Sequence, residues 1–325
     1  MKKKLGLWVV GIIIISIVYA VVTSASKPVA RNNRIVIKVQ RPSLLNPLVI
    51  PHLYAINTDG TGEVKEKLPL ELGDEAEWSP NGEWIVYSTL NSFWGSADTS
   101  DIYVMRSDGS MRRRLTNHRT GGSFNPAWSA DGTKIAYFAY DKNGNNDGIY
   151  VMSVECVLRG EKCAPTPRFL VAGRNPDWSP DGKFIVYQPF SHGISIIEAN
   201  DAGEPIVLPL PRVKICSSPR WSPDGTRIAT SCYQEESDSF DIFILNPDGS
   251  NVLTLKDGSM PSWSPDGSKI AFTSTRDNLG QCIAGICGSG GVYSNAIFMM
   301  NSDGSNIVRL SFPNDESVLW YAWVH

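Results

Sequence analysis

Short apolar runs recur along most of this chain, separated by compact polar turns. KIAFTS (Lys269 to Ser274), KFIVYQ (Lys183 to Gln188) and RIVIKV (Arg34 to Val39) are rich in β-branched and aromatic residues. Bounded by Gly, Pro, Asp and Ser, such runs predict strands. After the first thirty residues no long stretch carries a helical apolar period. The turns support hairpins. In Ser222-Pro223-Asp224-Gly225, proline presets φ at the first central position, aspartate bonds its own backbone and glycine accepts positive φ. Asp248-Gly249 and Asp303-Gly304 do the same elsewhere.

Two phrases alternate. WSPNG begins at Trp78, WSADG at Trp128, and WSPDG at Trp178, Trp221 and Trp263; a truncated sixth copy, YAWVH, contains Trp323. The gaps between these tryptophans are 50, 50, 43, 42 and 60 residues, a period expected of an array of small β-sheets. The second phrase is DIYVMRSDGS (Asp101 to Ser110), DIFILNPDGS (Asp241 to Ser250) and AIFMMNSDGS (Ala296 to Ser305), with degenerate copies at His52, Gly148 and Gly193. Each unit reads strand, turn, strand, loop, strand, turn, strand. Six four-stranded units predict an all-β, six-bladed propeller over 33–325. The sixth copy stops after its first strand, and the first unit lacks that strand. Pairing YAWVH with RIVIKV would complete the first blade and remove two open sheet edges.

The pattern PxWSPDGxxIAFxS, then DIYVMNxDGS, then RLT, resembles the TolB-like propeller repeats, which also occur in propellers of prolyl oligopeptidase-family enzymes. NPAWSADGTKIAYFAY, MPSWSPDGSKIAFTS and DIYVMRSDGSMRRRLT carry the resemblance, which extends over residues 33–325. It implies a fold more than a function. About ten residues separate the apolar N-terminus from the first strand, so the α/β domain that precedes the propeller in periplasmic TolB is not expected, nor are contacts made through it.

Lys2, Lys3 and Lys4 precede an uncharged apolar run from Leu5 to Val22. At about 1.5 Å per residue this nearly spans a hydrocarbon core of about 30 Å, and the lysines favour a cytoplasmic N-terminus. Its length favours an uncleaved anchor or transmembrane helix over 1–23 followed by a linker at 24–32, although Thr23-Ser24-Ala25 could serve as a signal-peptide cleavage site. Either way the propeller lies outside the cytoplasm: single-pass on the membrane and facing the periplasm or exterior, or secreted. Six cysteines form three near pairs, Cys156 with Cys163, Cys216 with Cys232, and Cys282 with Cys287. The middle pair falls roughly opposite across the Asp224-Gly225 turn, and disulfides suit an exported chain.

Composition narrows the function. Net charge is −3 and charged residues are 19%, which gives no field for nucleic acid. The basic run Arg112-Arg113-Arg114 reads as charge protecting an edge strand, with an anionic headgroup or cell-wall polymer site as the competing reading. The repeated tryptophans read as packing between blades. Asp141, Asn143, Asn145 and Asp147 resemble the start of a calcium loop but lack its later glycine and glutamate, so no metal or cofactor is expected. The histidines His52, His118, His192 and His325 have no metal-ligand spacing, no GxSxG elbow is present and no hydrolase domain follows the repeats.

Strand alternation puts the SPDG and DGS turns on one face and the longer insertions on the other. Those insertions, Thr89 to Ser100, Tyr140 to Asp147, Tyr233 to Phe240 and Thr275 to Asn295, contain Phe93, Trp94, Tyr140, Tyr233, Phe240 and Tyr293. Aromatic residues around a loop-rich face predict an interaction surface. The sequence therefore predicts a monomeric, membrane-tethered, non-enzymatic scaffold that binds a protein or an envelope polymer. The alternative is a polysaccharide lyase or glycosidase working with carboxylates in the central channel.

Overall fold

The computed structural model describes residues 34–40, 52–57, 64–67, 74–90, 99–118, 121–141, 144, 146–200, 203–210, 215–274, 296–310 and 317–323. The N-terminal segment 1–23, the linker 24–32, Phe93, Trp94, Asn143, Asn145, Cys282, Cys287 and Tyr293 lie outside them.

The fold is all-β and propeller-like. In the first sheet β1 (Arg34–Gln40), β2 (His52–Asn57) and β3 (Val64–Lys67) follow the last strand, β24 (Ser317–Trp323), in the order β24–β1–β2–β3. β24 and β1 are antiparallel, with Ile35 opposite Trp323 and Gln40 opposite Ser317. Ile35 and Trp323 pack with Ala271, Ile297, Met299 and Leu310 of the last sheet. Blade two comprises β4 (Asp74–Trp78), β5 (Trp84–Leu90), β6 (Ser100–Arg106) and β7 (Arg113–Arg114). Blade three comprises β8 (Gly122–Trp128), β9 (Lys134–Tyr140), β10 (Gly148–Ser153) and β11 (Arg168–Val171). One parallel pairing, Ser100 with Gly122, joins these two blades into a single sheet.

Blade four is β12 (Arg174–Trp178), β13 (Phe184–Gln188), β14 (Ser195–Glu198) and β15 (Ile206–Val207). Blade five is β16 (Cys216–Trp221), β17 (Ile228–Gln234), β18 (Ser239–Leu245) and β19 (Leu253–Leu255). Blade six is β20 (Ser259–Trp263), β21 (Lys269–Ser274), β22 (Ala296–Asn301) and β23 (Val308–Arg309). Inner strands β4, β8, β12, β16 and β20 touch in succession, and β24 touches both β20 and β4. Among the described residues no helix is long and apolar enough to cross a membrane; the one helical turn is Glu155–Leu158.

Alternation within a strand feeds two cores at once. In β9, Ile135, Tyr137 and Ala139 pack with blade two, whereas Ala136 packs toward blade four. The turns hold their shape through the same side chains each time. Ser129, Ser179, Ser222 and Ser264 each donate from Oγ to the aspartate two residues on at 2.6 Å. Each Oγ also accepts the N–H five residues on, at 2.9 Å.

The outer strands correct one expectation. Of the three arginines, only Arg113–Arg114 form the edge strand, and two are engaged within their own blade. Arg112 stands over the rings of Tyr103 at 4.8 Å and Tyr87 at 5.7 Å. Arg114 donates to fully buried Asp101, which also accepts the Thr116 hydroxyl at 2.9 Å and the His118 N–H at 3.0 Å. Asp241 begins the equivalent phrase of blade five and accepts the Asp257 N–H at 3.0 Å. The aspartate that opens each DI phrase thus ties down the connection to the next blade.

Two cysteine pairs are bonded, Cys156 to Cys163 and Cys216 to Cys232. Cys216 and Cys232 are cross-strand partners. Their separation of 16 residues gives a loop whose cross-link stabilises by about 3 kcal/mol on the chain-entropy account. Replacing both with alanine should lower stability by about 2–4 kcal/mol, measured as a shifted urea midpoint in oxidised protein; an unchanged midpoint would mean that the bond adds nothing to the fold.

Candidate functional site

The inner strands meet around a cavity of about 370 Å³ lined by residues of β4, β8, β12, β16, β20 and β24. In four blades it runs from the third residue before the tryptophan to the second residue after it, as in Glu75, Glu77, Trp78 and Pro80; blade four contributes Asp177, Trp178 and Pro180, and β24 contributes Trp323. The cavity therefore occupies the channel end nearest the SPDG turns, opposite the face on which the sequence placed the aromatic insertions.

A bulge shapes this bore. Every inner strand from β4 to β20 shifts register ahead of its tryptophan. The residue three before the tryptophan has positive φ each time: Glu75 56°, Asn125 50°, Asn175 54°, Ser218 51° and Met260 51°. Left-handed backbone costs a non-glycine residue about 1–2 kcal/mol, and the bulge re-aims the neighbouring side chains. Glu75, Asn125, Ser218 and Met260 all line the cavity.

The residue just before each tryptophan supplies the chemistry. Around the cavity these are Glu77, Asp177, Arg220 and Ser262, with Ala127 at the same position of blade three. Two of the acids accept backbone N–H bonds from the next inner strand, Glu77 from Trp128 at 3.4 Å and Asp177 from Trp221 at 2.7 Å. Glu75 accepts from both the backbone N–H and the side-chain amide of Asn125, at 2.7 and 2.6 Å. Burial pushes the Glu77 carboxyl up to about 8; the Asp177 charge adds to the rise, while Arg220 and the Trp128 N–H oppose it. Burial likewise pushes Asp177 up to about 6, against Arg220 and the Trp221 N–H.

The indoles link the blades. Trp128 Nε1 donates to the Glu77 carbonyl at 3.2 Å, Trp263 Nε1 to that of Arg220 at 3.1 Å, and Trp323 Nε1 to that of Ser262 at 3.1 Å. The indole N–H groups of Trp178 and Trp221 are buried and have no acceptor among the described residues. The packing role expected from the sequence therefore coexists with two spare donors at the cavity wall.

Of the aromatic residues expected to form the interaction surface, Tyr140, Tyr233 and Phe240 are described, and none lines this cavity. The sequence placed Tyr233 and Phe240 in a loop, but they are a cross-strand pair on β17 and β18, with ring centroids 5.6 Å apart. The hairpin strands simply continue further than the turn residues suggested. Tyr233 is half-buried and Phe240 is 37% exposed. Tyr140 stacks on Phe124 at the end of β9. In the suspected calcium loop, Asp147 Oδ1 accepts the Asp141 N–H at 3.1 Å.

Sequence spacing also missed a contact between His118 Nε2 and Ser123 Oγ at 2.7 Å, beside Asp101. It is not a nucleophile and base: Ser123 is fully buried and Asp101 takes the backbone N–H of His118. The channel acids were missed too, although one signal was legible. The residue before the tryptophan varies from copy to copy while WS is constant in the first five copies.

Residues 174–319 match the TolB beta propeller domain family, PD40. Dipeptidyl-peptidase 5 of Porphyromonas gingivalis is 26% identical over 153 residues, 42% of this chain and 22% of that protein. The Tol-Pal system protein TolB of Francisella tularensis subsp. mediasiatica is 38% identical over 72 residues, 22% of this chain and 17% of that protein. The chain thus spans about a fifth of the length of these curated relatives. The crystal structure of TolB from Acinetobacter baumannii superposes with a TM-score of 0.64 at 20% identity, over 97% of this chain and 72% of that one.

The raised acids set a pH dependence. Between the ordinary carboxylate values and about 8 for Glu77 and 6 for Asp177, the folded chain holds protons that the unfolded chain releases. Their contribution to stability is therefore largest below the unfolded values and is lost as pH rises through the folded ones. Glu77→Gln keeps an acceptor for Trp128 without the charge. It should raise stability at pH 8 by at least ~1 kcal/mol and flatten the fall between pH 5 and 8, followed by urea unfolding at each pH. An unaltered profile would show that the carboxyl is not held protonated.

Proposed function

We propose that this chain, a TolB-like β-propeller, is an extracytoplasmic binding scaffold for a protein or an envelope polymer. The observation that carries this reading is the use made of the channel carboxylates. Glu75, Glu77 and Asp177 each accept bonds from the neighbouring inner strand, so they hold the blades together before they meet any guest. The rest of the cavity lining is largely tryptophan and proline, with Arg220 among them, a lining suited to gripping a ligand. A guest carrying a cation would draw Glu77 and Asp177 toward their charged forms and release protons as it bound.

The two disulfides and the apolar N-terminal run support placement outside the cytoplasm. In this reading residues 1–23 tether the chain to the membrane, or are removed to release it, and residues 33–325 form a monomeric propeller whose ring is fastened by β24 on β1. The loop-rich face, with Phe93, Trp94, Tyr140, Tyr233, Phe240 and Tyr293, receives the partner.

One observation favours a second reading. Glu77 at about 8 and Asp177 at about 6 are split in the manner of an acid and a base sharing a site, which suits a lyase or glycosidase acting on polysaccharide. The readings separate experimentally. Trp94→Ala with Tyr293→Ala should reduce capture of an envelope partner by the detergent-solubilised full chain at least ten-fold, with the melting temperature unchanged. Undiminished capture would remove the loop face from the proposal. Release of reducing or unsaturated ends from polysaccharide that disappears in Glu77→Gln would favour the enzyme instead.

A further inference from the structure

The two seams on either side of blade four lack a bond that the repeat makes elsewhere. Trp128, Trp263 and Trp323 each donate an indole N–H to the carbonyl just before the preceding blade's tryptophan. The same bond would run from Trp178 to Ala127 and from Trp221 to Asp177. Neither is made, and both N–H groups are buried without an acceptor among the described residues. Trp178 is 5% exposed, and both tryptophans line the cavity. A buried donor without a partner is costly, and a guest that brings an acceptor removes that cost.

The same two blades bring opposite charges to the cavity. Asp177 and Arg220 stand just before Trp178 and Trp221, and both line it. The Arg220 guanidinium donates one hydrogen bond, to the neighbouring Pro219 carbonyl at 3.0 Å. Asp177 accepts the Trp221 N–H through Oδ2 at 2.7 Å, and Glu77 accepts the Trp128 N–H through Oε1 at 3.4 Å. Asp177 Oδ1 and Glu77 Oε2 therefore have no donor among the described residues. Arg220 is near enough to favour the charged form of both acids, yet among the described residues it pairs with neither. Three charged groups and two indole donors thus meet at one cavity with capacity unspent.

We propose that this cavity binds a free α-amino acid as its zwitterion, with the ammonium on Asp177 and Glu77 and the carboxylate on Arg220 and the indole N–H groups of Trp178 and Trp221. A simple cation would leave Arg220 and both indole donors unmet. A simple anion would face Asp177 and Glu75 across the cavity. A zwitterion answers both signs, and a carboxylate can accept from a guanidinium and an N–H together. The volume of about 370 Å³ lies at the small end of ligand pockets, which suits a single residue. Its side chain would meet Pro223, Met260 and Trp263, so an apolar or aromatic one is favoured.

The inference rests on the reading of the channel as a binding site and adds a small ligand at the end opposite the loop face. Detergent-solubilised full chain is titrated calorimetrically with L-leucine and with L-phenylalanine, and saturable binding of at least one is expected. The amide of the bound amino acid, which lacks the carboxylate, and its N-acetyl form, which lacks the ammonium, should each bind about ten-fold more weakly or worse. Arg220→Gln should weaken the parent amino acid by as much. Trp178→Phe with Trp221→Phe keeps the rings and removes only the unpaired N–H groups. It should weaken binding about five-fold or more while the melting temperature holds or rises, because no bond within the fold is lost. The inference is overturned if neither amino acid binds at millimolar concentration, if either blocked form binds like the parent amino acid, or if both variants bind like the parent chain. Envelope capture that persists without amino-acid binding would overturn this inference alone; failure of both would overturn the scaffold reading with it.

Discussion

A tryptophan ends every inner strand, and three of the six tie their blade to the preceding one by a hydrogen bond. Trp128, Trp263 and Trp323 reach back to the carbonyl just before the preceding blade's tryptophan, at 3.1–3.2 Å. A buried indole both fills the seam between two sheets and needs an acceptor for its N–H. The carbonyls used belong to Glu77, Arg220 and Ser262, which are in register with Val86, Ala229 and Ala271 just past the register shift; an innermost strand has no ladder partner on its channel side and so can offer them. The positive φ at Glu75, Asn125, Asn175, Ser218 and Met260 marks the bulge that precedes them. Backbone strain repeated at one position in five blades is a property of how the inner strands meet.

That constraint decides which residues are free to vary. The tryptophan and the serine after it are committed to the seam and to the turn. The residue just before lines the bore in four blades, as Glu77, Asp177, Arg220 and Ser262, and in blade three is Ala127, packed in the core with Ala136 and Trp178. Acids there are tolerated because the next strand's N–H groups point at them, as with Asp177 and the Trp221 N–H at 2.7 Å. One such bond does not repay the loss of water, so Glu77 stays at about 8. The channel thereby holds proton-binding groups near neutrality without a metal-ligand motif or a histidine.

Much of the fold was legible because its signals are local. Turn residues fix strand ends, and a known turn centre fixes which residues lie opposite, so Cys216 and Cys232 were placed together from spacing alone and are bonded. The YAWVH segment and RIVIKV were likewise read as one sheet and are paired. What escaped depends on distances across the ring. Glu77 and Asp177 are a hundred residues apart in sequence, and alternation tells which way a side chain faces but not what stands across the bore.

The two ends of the channel then have different characters for a physical reason. At the turn end blades three to six close a tight hairpin, SADG or SPDG, with serine and aspartate locked together at 2.6 Å, so this end changes mainly through the side chains that point inward. At the loop end the strands run on to different lengths, and extra rings such as Tyr233 with Phe240 and Phe138 with Phe190 are accommodated at strand ends. A buried carboxylate suits the first environment, where backbone donors are fixed. Aromatic pairs suit the second, where the rings stack on one another as the strands run past the repeat's common length.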